Sequence, residues 1–411
     1  MKILSALLIL LSTLILWLTL HQYFFCPRFS FVETEPFHGN KIYNPYEGID
    51  SSDWVMGNFH AHSNAWSGVT NGKGTPTDIA NVYDSLGYGV HLVSDYHKVD
   101  RTNEYESDFI SAYEHGYNLK KVHYLVLGSQ KVSWLDYPLP QILSNKQWIL
   151  NQLAPANQGL IILNHPGVRN GFDKEDLKYL TNYQCLEVLG PFGTFTDKWD
   201  ASLSAGRPIF SVGNDDVHDV FDIGNVGNYC TWINAPTPNK NDVLSAMRNG
   251  TSYAMQIPRI DNETLPEKIK RFKTNLPRLN SFRVKQGTIH VSLNRRAKNI
   301  VFSGKQGEEL LRTTETNMAS YAIAQTDPYV RTTITFHDGT LILLNPVFRY
   351  DALPFDNNQP EIDHVKSNFL SFIGILILLL WALLIYHLMV SRYVKRRIYR
   401  LPAPSIRFFQ G

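Results

Sequence analysis

The stretch Val55-Met56-Gly57-Asn58-Phe59-His60-Ala61-His62 decides how this chain is read, because an apolar run ends in two histidines one residue apart. On an extended strand alternate side chains face the same way, so His60 and His62 offer both imidazoles to one divalent cation. A lone pair of this kind carries little, and its weight comes from what lies further along. Apolar runs recur at 55–60 (VMGNFH), 89–96 (GVHLVSDY), 123–130 (HYLVLGSQ), 159–166 (GLIILNHP), 185–190 (CLEVLG), 208–216 (PIFSVGNDD) and 229–235 (YCTWINA). Longer amphipathic stretches separate them: the helix after Thr77, with Thr77 or Asp78 as its cap, then 141–153, 173–183 and 242–248. Seven strands alternating with helices predict repeated β/α units.

Polar groups gather at the ends of these runs: His60 and His62, Asp95 and His97, Gln130, His165, then Asp215, Asp216 and His218. In a parallel barrel the strand C-termini share one face, so these residues are expected to converge. His60, His62, His165, Asp216 and His218 form the predicted metal set, with Asp95, His97 and Gln130 as further candidates. Asp95, Asp215 or His218 would handle a proton beside a metal-activated water. Arg169, four residues past His165, and Lys98, just past a strand end, are the candidate contacts to an anionic substrate. Glu187 sits inside a run, where burial demands either the metal face or a basic partner. His91, His115 and His123 lie away from the expected strand ends and are assigned to packing or surface. Imidazole and carboxylate donors suit zinc, manganese or iron, one or two ions per chain.

Taken together, GNFHAHSNAWSG, LVSDYHKV, LVLGSQ, LILNHPG and VGNDDVH resemble the successive motifs of the PHP (polymerase and histidinol phosphatase) family over residues 53–255. The resemblance implies a distorted seven-stranded β/α barrel, two or three divalent metals, and hydrolysis of phosphate esters. The family's HxH falls on His60 and His62, its HP on His165, and its closing Asp-x-His on Asp216 and His218. Tyr96 stands where the family has a histidine, and Gln130 where it has the glutamate that bridges two metals. The Ser-Asp-Gly that usually follows the first motif is absent, Ser67-Gly68 lying nearby.

Beyond a Pro-containing segment at 256–278, short alternating runs such as TIHVSLN and RTTITFHDGTLILLNPVF predict a small antiparallel β domain over 279–352, with a turn at Asp338-Gly339. Residues 3–25 and 369–390 are each apolar for the length of a bilayer crossing and predict one transmembrane helix at each end. Arg392, Lys395, Arg396, Arg397 and Arg400 follow the second span, so the tail at 391–411 and the N-terminus are expected in the cytoplasm and the main domain outside it. Gln22, Tyr23, Phe24 and Phe25, at the end of the first span, are bulky, which favours an uncleaved anchor over a signal peptide.

The chain has 411 residues, a net charge of only +2 and no basic face, which excludes nucleic acid as an expected partner. Cys26, Cys185 and Cys230 show no zinc spacing; a Cys185–Cys230 pair or two buried thiols both fit. Three functions remain open. The first is a membrane-tethered, metal-dependent phosphoesterase acting on an extracytoplasmic small-molecule or lipid-linked phosphate ester. The second is a PHP-like binding or scaffold protein of weak catalytic power, with the β domain meeting a protein partner. The third is an amidohydrolase-like enzyme.

Overall fold

The computed structural model describes residues 2–154, 159–352 and 359–398. It divides into two compact units: the chain ends, Met1–Phe29 with Ile362–Gly411, and the body, Ser30–Glu361. Within the first unit, helices Lys2–Tyr23 and His364–Ile398 are each long and apolar enough to cross a bilayer. They touch one another: the Trp381 indole donates to Thr13 Oγ1 at 3.1 Å, and Gly374 lies so near Phe25 that a Cβ there would stand 2.7 Å from the ring. A small residue at such a crossing allows close packing. The basic tail past Ile398, Arg400 included, lies outside the described residues.

In the body, all seven predicted runs contain strands: β1 (Trp54–Asn58), β2 (Val90–His91), β4 (Tyr124–Leu127), β5 (Leu160–Leu163), β6 (Cys185–Gly190), β7 (Phe210–Gly213) and β8 (Tyr229–Asn234). A strand outside these runs, β3 (Ala112–His115), lies between β2 and β4. The strands form two sheets rather than one parallel barrel. The first has the order β7-β6-β5-β4-β3; in the second, β8 and β1 run antiparallel and β2 lies parallel on β1. Isolated bridges at Ala61–Val217 and Tyr96–Glu114 link strand ends of the two sheets.

Strand direction is the main departure from expectation. β5, β6 and β7 are parallel, but β3, β4 and β5 alternate. The link from β3 to β4 is the eight-residue loop 116–123, too short for the crossover that parallel strands need. β4 therefore runs backwards, with its N-terminal end where a parallel strand would place its C-terminal end.

Residues 256–278 do not interrupt the second sheet. Strand β9 (Ser252–Gln256) pairs with a strand over Leu341–Tyr350, from Tyr253 opposite Leu344 to Gln256 opposite Leu341. The long strands Thr288–Ser303 and Glu309–Ala322 extend the same sheet. The expected linker holds a helix, Leu265–Thr274, whose Phe272 enters a core shared with Tyr88 and Leu86. The turn at Asp338-Gly339 forms as its residues require, with Gly339 at φ +88° and Phe336 N–H donating to the Thr340 carbonyl at 2.9 Å. Helix Pro76–Leu86 is capped by Thr75, not Thr77 or Asp78. Pro76 takes the first helical position, and Thr75 and Asp78 close a reciprocal capping box. Cys185 and Cys230 are buried free thiols.

Candidate metal centre

The end of β1 places His60 and His62 on one side, as the spacing requires, and both are buried. Their Nε2 atoms are 3.2 Å apart. His165 follows β5, and Asp216 and His218 follow β7. Asp216 Oδ1 lies 3.1 Å from His60 Nε2, 3.3 Å from His62 Nε2 and 3.4 Å from His218 Nε2. The five residues of the predicted metal set thus meet in space.

Two further residues join them. Glu114, fully buried on β3, sets Oε1 at 2.9 Å from His123 Nδ1, 3.3 Å from His165 Nε2 and 3.4 Å from His60 Nε2, while Oε2 is 3.2 Å from His62 Nε2. His123 immediately precedes β4. Four overlapping triads with mutually close ligand atoms result: His60, His165 and Asp216; His60, His62 and Glu114; His62, Asp216 and His218; Glu114, His123 and His165.

These atoms fit a cation. Asp216 Oδ1 and Glu114 Oε2 are buried, surrounded by imidazole nitrogens, and have no hydrogen-bond partner, which is costly unless a positive charge meets them. The backbone supports the same view: His165 has φ +28° and Asp216 φ +44°, a region that side chains rarely adopt and that costs about 1–3 kcal/mol. Glu187, buried on β6, lies 3.1 Å from His60 Nδ1, accepts from Asn214 at 3.2 Å and from the His165 N–H at 3.3 Å. It pairs with a base, one of the two expected outcomes, and leaves His60 Nε2 facing the cluster, the way an outer carboxylate orients a ligating imidazole.

Charge and burial oppose one another throughout the centre. Burial alone would raise Glu114 and Asp216, but the surrounding imidazoles hold both well below the usual carboxylate range. Burial alone would lower His60, His62 and His165, yet the two carboxylates outweigh it and raise all three. At His123 burial prevails and the imidazole is lowered.

The remaining predicted residues lie elsewhere. Gln130 is exposed, its side-chain oxygen accepting from Arg101 at 3.2 Å; at the far end of a reversed strand it cannot reach the cluster. His97 spends both nitrogens on backbone, Nδ1 facing the Ser133 carbonyl at 3.0 Å and Nε2 accepting from the Gly116 N–H at 3.0 Å. Asp95 accepts from Ser63 N–H and Ser63 Oγ, each at 2.7 Å. Asp215, pushed up to about 6 by burial, accepts from the Tyr83 hydroxyl and from the N–H groups of Gly227, Asn228 and Tyr229. Through these bonds both aspartates hold neighbouring loops together. Arg169 donates to the Leu119 carbonyl at 2.9 Å, and Lys98 is exposed. Tyr96 stacks on His62, with ring centroids 4.6 Å apart.

Neither protein-family models nor curated proteins match the chain. Among solved structures it is similar to a two-domain protein from Bacteroides vulgatus containing a predicted PHP-like metal-dependent phosphoesterase. That likeness has 11% identity and a TM-score of 0.38, and covers 77% of this chain and 100% of the other. It is also similar to PsfC from Pseudomonas syringae, at 11% identity and a TM-score of 0.33, over 54% of this chain and 97% of the other. Likenesses this loose carry no functional weight, and the reading of the centre rests on its own side chains.

Proposed function

We propose that the chain is a metal-dependent hydrolase, most closely a phosphoesterase, tethered to a membrane and acting on an extracytoplasmic phosphate ester. The observation that carries this reading is the convergence of five histidines with Glu114 and Asp216 in one cluster where Glu114 Oε2 and Asp216 Oδ1 are buried without a hydrogen-bond partner. Glu114 offers one oxygen to His123 and His165 and the other to His62, so both of its oxygens would be available to hold metal. Zinc, manganese or iron fits these donors. When bound, such ions polarise a phosphoryl oxygen and bring water toward a hydroxide at neutral pH. His218, with a side chain 26% exposed at the edge of the cluster and stacked on His62 at 4.3 Å, is placed to hold a proton near the substrate.

The full chain, purified in detergent and loaded with metal, is expected to release phenolate from aryl phosphate monoesters or diesters, and Asp216→Ala to abolish this. Amide cleavage without phosphatase activity would favour the amidohydrolase reading. Metal without any turnover would favour a binding protein. The two apolar terminal helices and the basic residues after the second support tethering with both termini in the cytoplasm. A reporter active only outside the cytoplasm, fused after Gly411, is expected to stay silent; activity there contradicts the orientation.

A further inference from the structure

We propose that Lys121 is the anion-binding residue of this centre, meeting a non-bridging phosphoryl oxygen of the substrate beside the ring of Tyr96; this rests on the phosphoesterase reading. Lys121 lies in the 116–123 loop, two residues before His123, and its Nζ stands 5.8 Å from the centroid of the Tyr96 ring. That ring is 4.6 Å from His62 and 5.7 Å from His123, so the ammonium sits one aromatic ring away from the imidazoles of the cluster.

The loop is built to keep it there. The Asn118 side chain donates to the Val122 carbonyl and accepts from the Val122 N–H, each at 2.8 Å, closing a small ring around Lys121. Lys121 itself has φ +58°, a left-handed conformation that a side-chain-bearing residue takes only when its surroundings impose it. Gly171 packs against this turn: a Cβ there would stand 2.9 Å from the Lys121 carbonyl and 3.0 Å from that of Lys120.

The charge on Lys121 has no carboxylate to answer it among the described residues. Among the described residues it forms no ion pair, although it is half-buried beside a centre that contains two carboxylates. Arg169, Lys198 and Lys146 are committed elsewhere: Arg169 to the Leu119 carbonyl, Lys198 to Asn170 and the Phe172 carbonyl, Lys146 to Asp176. The Tyr96 ring presents the face over which the Lys121 ammonium stands. A cation over an aromatic ring at the edge of a metal centre is the counterpart of a phosphate oxygen that the metals do not hold.

The test uses inorganic phosphate as the probe, titrated calorimetrically into the metal-loaded full chain in detergent. Lys121→Met, which keeps the aliphatic stem and loses the charge, is expected to weaken phosphate binding about tenfold while metal content stays at the wild-type level. Lys121→Arg is expected to restore most of the affinity. Unchanged phosphate affinity in Lys121→Met overturns the proposal, as does loss of metal in that variant, which would make Lys121 part of the scaffold. A metal-loaded wild-type chain that ignores phosphate overturns it while leaving the metal centre standing. A wild-type chain that holds no metal removes the underlying reading as well, and elemental analysis tells the two failures apart.

Discussion

Glu114 supplies both of its oxygens to the cluster, whereas Gln130, at the motif position where a bridging glutamate was expected, faces solvent. The pattern of protonation around it has a direct consequence. His60, His62 and His165 are raised by Glu114 and Asp216, so in the absence of a cation they keep protons above the usual histidine range. A metal needs neutral imidazoles and must displace those protons. Apparent metal affinity is therefore expected to rise as pH increases through and above neutrality, and to fall steeply on acidification. Chelator competition at two pH values measures this; affinity independent of pH would contradict it. The histidines of the HxH, the HP and the Asp-x-His were legible because each ends an apolar run. Glu114 and His123 were not: AYEH shows no apolar alternation, and His123 opens a strand instead of closing one.

At the scale of elements, the missing information was strand direction. Seven apolar runs announced seven strands, but nothing in a run says which way it points. Loop length was the available signal, once the strand at 112–115 is placed, because eight residues do not make a crossover. Reversal of β4 exchanges Gln130 for His123 at the centre. The arm that carries His62 depends on a close approach of a different kind. A Cβ on Gly72 would stand 2.0 Å from the Ser63 carbonyl oxygen and 2.9 Å from the His62 carbonyl carbon. Gly72→Ala is expected to displace this arm and weaken metal retention by at least tenfold in chelator competition, while circular dichroism still reports a folded chain. Native retention would show that the arm tolerates the shift.

Across the whole molecule, the sequence divides into a mixed α/β part and a β-rich part, but the hydrogen bonding does not. β9 pairs with Leu341–Tyr350, and the buried carboxylate of Asp200, on helix Thr196–Ser204, takes Arg331 Nε and Nη2 at 2.7 Å each from strand Tyr329–Thr335. A change of hydropathy period marks where the strand type changes, and carries no information about which strands pair across that point. The terminal helices were legible as apolar runs, since length and apolarity mark them, although the second runs from His364 to Ile398, beyond the expected 369–390.

Elemental analysis of the purified full chain tests most directly whether the cluster is a metal centre. One or two divalent ions per chain are expected in the wild type and in Gln130→Ala, with loss in His60→Ala and Glu114→Ala. Metal in the wild type no higher than in Glu114→Ala, or loss from Gln130→Ala with retention in Glu114→Ala, would contradict it.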